Sequence, residues 1–80
     1  MNLDYDEKTF YELLKARKDF QGIVRYDPND LEKELQMISS DIEKLLESLY
    51  IRGILVYITR VNKKTGKTLK IVQLIEEEYR

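Results

Sequence analysis

Five cations stand between positions 60 and 70 with no acid among them: Arg60, Lys63, Lys64, Lys67 and Lys70. Such a run suits contact with phosphates, where each neutralised charge steepens the fall of log affinity with log salt by about 0.9. Lysines at a hairpin tip equally serve solubility and discourage edge-to-edge strand pairing. Elsewhere the chain is acidic, with seven carboxylates between positions 27 and 47 against Lys33 and Lys44. Over all 80 residues the formal net charge is only −1, so the distribution of charge says more than its sum.

Catalytic chemistry is sparsely provided. The chain has no histidine and no cysteine, which removes the usual neutral-pH base, the strongest nucleophile, the soft metal ligands and any histidine-based pH or metal sensor. Gly22, Gly53 and Gly66 each stand alone, so there is no glycine-rich loop to cradle phosphates. Lys64-Thr65-Gly66 matches one motif of penicillin-binding proteins by chance, because the Ser-x-x-Lys partner is missing. Carboxylates are plentiful, including Glu76-Glu77-Glu78, but none shows a pairing that sequence can place in a cleft. The expectation is a protein that is not an enzyme and needs no metal or cofactor.

The elements that must position the charged residues are legible from spacing. Ile42, Leu45, Leu46 and Leu49 fall at i, i+3, i+4 and i+7, the buried stripe of an amphipathic helix. Ser40 with Glu43 has the capping-box pattern for its start, and Gly53 ends it. From Ile54 to Val61 and again from Thr68 to Ile75 the residues are largely β-branched, aromatic or aliphatic, which predicts two strands joined through 62–67. Gly66 sits where the hairpin loop needs positive φ, as in a type I turn closed by a G1 bulge.

Upstream, Asp27-Pro28 reads as the N-cap and first position of another helix, with Leu31, Leu35 and Ile38 as its apolar stripe. Only 36–39 is left to turn into the next helix, the tight connection of a helix-turn-helix. A first helix over about 6–19 buries Phe10, Leu13 and Leu14, and Ile23-Val24-Arg25-Tyr26 supplies a short strand. The predicted class is α+β, in the order α-β-α-α-β-β.

In this order and apolar spacing, carried by 30–35, 42–49, Arg52-Gly53-Ile54-Leu55 and the basic hairpin, the chain resembles the winged-helix family from Phe10 to about Ile75. The resemblance implies a winged helix-turn-helix, a three-helix core with a C-terminal β-hairpin wing, that binds double-stranded DNA as a transcriptional regulator. The helix at about 40–52 would be the recognition helix, with Ser40, Lys44 and Ser48 approaching the groove. Wing residues Arg60, Lys63, Lys64, Lys67 and Lys70 would hold phosphates, and Ser39 or Arg25 would add contacts. Against this stand Glu43 and Glu47 on the same helix, since carboxylates face a polyanion at a cost. Winged helices also serve as protein-interaction modules in replication, transcription and membrane-remodelling assemblies, and an acidic helix suits that alternative.

With 42% apolar residues the chain reads as one small domain over 1–80 with frayed ends at about 1–5 and 76–80. A domain of this size buries only about 60–65% of the surface its unfolded chain exposes, so association is the usual supplement. No leader-like segment and no apolar run near the roughly 20 residues of a membrane span are seen, which predicts a cytoplasmic protein. Both faces of the hairpin are apolar; one should cover the helices, leaving the other to the N-terminal segment with Tyr5 and Tyr11 or to a second subunit. A homodimer would address half-sites roughly 34 Å apart. The six tyrosines read as core-edge packing, with sugar or phosphate contact as the alternative for Tyr50 and Tyr57.

Overall fold

The computed structural model describes residues 3–75. Its elements are α1 (Tyr5–Arg17), β1 (Ile23–Tyr26), α2 (Pro28–Leu35), α3 (Ser39–Ile51), β2 (Leu55–Val61) and β3 (Thr68–Leu74). The three strands form one antiparallel sheet in the order β1-β3-β2. The α+β class and the expected order of elements are therefore the observed ones.

Local chemistry explains most boundaries. Asp4 caps α1 through a reciprocal pair, accepting from the Glu7 N–H at 2.8 Å while the Glu7 carboxylate accepts from the Asp4 N–H at 3.1 Å. The N-terminal segment is thus ordered from Leu3, which packs against the core, rather than frayed through Tyr5. The expectation for 76–80 lies outside the described residues. Asp27 caps α2 by accepting from the Asn29 N–H at 2.8 Å, with Pro28 at the first helical position as expected.

The end of α2 differs from expectation. Gln36 takes a left-handed conformation (φ 56°) and stops the helix after Leu35, which turns Ile38 away from the stripe. Ile38 is 64% exposed, whereas Leu31 is fully buried and Leu35 packs at the margin of the core. Helix α3 then starts at Ser39 with Ile38 as its N-cap, and no side chain of its own caps it. The capping box expected of Ser40 and Glu43 is absent: the helix starts one residue earlier, at Ser39, whose N–H donates to the Glu32 carboxylate at 2.7 Å, and the Glu43 carboxylate is turned to Lys70. At the other end Gly53 (φ 78°) closes α3, the Ile54 N–H reaching the Leu49 carbonyl and the Gly53 N–H the Tyr50 carbonyl, both at 3.0 Å.

The core is built from Phe10 and Leu14 of α1, Leu31 of α2, the Ile42, Leu46 and Leu49 stripe of α3, and the inward row of the sheet. That row includes Val24, Tyr26, Leu55, Val72 and Leu74, and Tyr26 meets Phe10 edge-on at 6.5 Å between ring centroids. Helix α1 packs on α3, not on the outward row of the sheet. Val56 and Ile58 stay exposed there, and Tyr5 is exposed as well. The N-terminal segment accordingly does not cover the second apolar face.

Candidate functional site

The hairpin end gathers four cations, Arg60, Lys63, Lys64 and Lys67, within eight positions. Asn62 organises it: its side-chain oxygen accepts from the backbone N–H of Lys64 (2.9 Å) and of Thr65 (3.3 Å), and its carbonyl accepts from the Gly66 N–H at 2.7 Å. The Asn62 N–H donates to the Lys67 carbonyl at 2.9 Å, so the loop proper is 63–66, one residue longer than the expected type I turn with G1 bulge. Gly66 has the positive φ expected of it, 74°, with open space around it. This scaffold projects Lys63, Lys64 and Lys67 into solvent, with Arg60 exposed at the end of β2. None of the four makes an ion pair among the described residues.

Lys70 does not belong with them. It is 6% exposed, donates to Thr59 Oγ1 at 2.7 Å, pairs with the Glu43 carboxylate at 2.6 Å, and sits 5.3 Å from the centre of the Tyr57 ring. The reason is strand parity: in β3 it alternates on the same side as Val72 and Leu74, the row that faces the helices. The same contact removes Glu43 from the helix cap. It also sets a carboxylate near the Tyr26 hydroxyl, whose burial above all, with the Glu43 and Tyr57 charges, pushes it far above the ordinary tyrosine range.

On α3, Ser40 and Lys44 are exposed, as are Asp41 and Glu47. Ser48, expected on this face, turns instead towards α1, where its hydroxyl donates to the Glu7 carboxylate. Glu7 is nearly buried and also lies 3.5 Å from the Arg52 guanidinium. The Ser48 hydrogen bond first, then the Asp4 N–H, and Arg52 hold its carboxyl below the ordinary value of 4.5, outweighing the opposite effect of burial.

Ser39 is half-buried at the start of α3 and lines an open groove of about 470 Å³ between the α2 and α3 N-termini and the hairpin loop. Asp27, Asn29 and Glu43 stand on its helical wall, and Thr65, Lys67 and Thr68 on its hairpin wall. The structure thus brings Lys67 and Ser39 to one groove. Arg25 lies apart, on the outward row of the sheet, 3.6 Å from the Asp19 carboxylate.

Sequence reasoning passed over three residues. Asn62 was legible as an asparagine at the mouth of a loop, where its side chain replaces a backbone acceptor. Thr59 was legible only through pairing, since it lies opposite Lys70 across β2 and β3. Phe20, 95% exposed in the turn before β1, had no periodic pattern around it.

Tyr50 and Tyr57 meet edge-on at 5.8 Å between ring centroids, and Tyr57 packs at the core margin, which accords with core-edge packing. Among the described residues no helix is long and apolar enough to cross a membrane. No family model, curated protein or solved structure matches the chain, and its chemistry is read from its own side chains.

Proposed function

We propose that this chain is a winged-helix protein that binds double-stranded DNA and acts as a transcriptional regulator, with the hairpin of β2 and β3 as its wing. The observation that carries the reading is the set of four exposed cations, Arg60, Lys63, Lys64 and Lys67, that make no ion pair among the described residues. Unpaired cations on a protruding loop lose nothing internal when they meet phosphate, and counterion release then favours the contact. Lys67 shares a groove with Ser39 at the start of α3, which favours joint contact by the loop and that helix start, while Ser40 and Lys44 stand exposed on α3 outside that groove. Ser48 and Lys70 are engaged internally and are withdrawn from the set of DNA contacts. Arg25 is paired with Asp19, away from the loop, and is withdrawn with them.

A second reading, a protein-interaction module, is favoured by the far end of α3, where Ile51 is 74% exposed beside Glu47 and Tyr50. Apolar exposure next to a carboxylate suits a protein partner better than a polyanion.

Titration of random-sequence duplex DNA at two salt concentrations separates the two. The DNA reading expects salt-sensitive binding with a log–log slope of about −3 to −4, as four phosphate contacts give. Absence of binding at low salt would discard it in favour of the protein partner.

A further inference from the structure

The outward row of the sheet is largely apolar, and no other element of the described residues covers it. Ile23, Val56, Ile58, Ile71 and Gln73 line a shallow hollow of about 190 Å³ there, and Leu69 extends the patch towards the hairpin end. Its charged members are Arg25, opposite Ile71, and Arg60, opposite Leu69; no carboxylate stands on the three strands of this face.

Against the rim of the same face lies the turn that carries Phe20. Two contacts hold it there: Gln73 Nε2 donates to the Gln21 carbonyl at 2.7 Å, and Asp19 lies 3.6 Å from Arg25. Asp19 also fixes the shape of the turn by accepting from the N–H groups of Gln21 (2.8 Å) and Ile23 (3.0 Å). The turn is therefore a rigid mount for a phenylalanine that touches almost nothing of its own chain.

We infer that this face is a homodimer interface in which Phe20 of each copy enters the hollow on the other. The turn that carries the knob is held at the rim of the face that carries the hollow, as a two-fold interface requires, because each surface must then complement itself. The sizes agree, since a cavity of about 150 Å³ lined by apolar side chains takes a benzene ring. Charge agrees too: the acid next to the knob, Asp19, meets the cation beside the partner's hollow, Arg25, exchanging the exposed pair each copy makes internally. With about 200 Å² for a fully exposed large side chain, the ring and the apolar face offer on the order of 500 Å² per copy, below the roughly 800 Å² per partner of standard interfaces and within the range of weak, reversible association. Helix α3 packs beneath the opposite face, so the dimer does not rest on the DNA reading and leaves α3 and the loop lysines uncovered, with Arg60, at the edge of this face, shared by the two readings.

Sedimentation equilibrium of the whole chain tests this over a wide concentration range. The wild type is expected to be a reversible dimer. Phe20→Ala should weaken association by on the order of tenfold or more, as loss of a central aromatic anchor does, and Ile58→Glu should leave a monomer. Tyr5→Ala, at an exposed residue outside this face, should not change the dimer. Circular dichroism keeps the comparison honest by showing each variant folded; Phe20→Ala removes no buried contact. A wild type that stays monomeric, or a dimer indifferent to both Phe20→Ala and Ile58→Glu, would overturn the inference and give the face to a different partner.

Discussion

Lys70 and Glu43 form an ion pair at 2.6 Å that ties β3 to the first turns of α3. The lysine is buried and the carboxylate half-exposed, so the two ends of the contact differ in what their loss costs. Removing the acid leaves a buried ammonium whose remaining contacts among the described residues are Thr59 and the Tyr57 ring.

Glu43→Gln should therefore destabilise the fold by about 1–2 kcal/mol, less than the loss of a fully buried pair because Glu43 reaches solvent. Lys70→Met keeps the apolar stem and removes the charge, and in the Lys70→Met background the Glu43→Gln cost should largely vanish. A double-mutant cycle by urea unfolding measures the coupling; additive effects would mean the pair contributes nothing.

Replacing Lys63, Lys64 and Lys67 together with alanine should weaken binding to all duplex sequences alike and flatten the salt slope by up to about three units. Lys70→Ala, at a residue already engaged, should leave the slope where it is. Fluorescence titrations across salt read both, and an unchanged slope in the triple variant would remove the hairpin from DNA contact.

Glu7 gives a pH dependence of defined sign. Its folded carboxyl titrates below the ordinary 4.5, chiefly through the Ser48 hydrogen bond, so its contribution is present above that value and is lost as pH falls through the folded pKa. Asp19, lowered mainly by the Ile23 N–H, acts in the same direction. Stability should drop as pH is lowered from about 5, and Ser48→Ala should reduce that dependence and lower Tm by a few degrees. Calorimetry at stepped pH checks this; an acid limb as steep in Ser48→Ala as in the wild type would refute the assignment. The same variant should bind DNA as the wild type does, because its hydroxyl faces α1.

Gln36 is the one non-glycine among the described residues with positive φ. A β-carbon in that region costs about 1–2 kcal/mol, whereas glycine has no such cost but loses more entropy on folding. Gln36→Gly should raise stability by up to about 1 kcal/mol in denaturant titration, and a loss would show that the Gln36 side chain makes a compensating contribution.

Whatever depends on neighbours a few residues away is legible in the chain before it folds. The stripe of Ile42, Leu46 and Leu49, the start at Asp27-Pro28, the stop at Gly53 and the loop glycine at 66 all follow from the helical and strand periods and from backbone φ, and each is seen. Lys70 was half legible: its parity with Val72 and Leu74 follows from the strand period, but with both rows apolar only the packing of the helices made that row the inward one. Tertiary structure alone decided which of two available partners a polar side chain takes. Glu43 could serve a cap three residues away or a lysine brought close by folding, and the buried ammonium won because an uncompensated charge there costs more than an uncapped N–H at Ser40, which is exposed. Ser48 likewise went to Glu7, 41 positions away, because a nearly buried carboxylate needs donors more than solvent needs a hydroxyl.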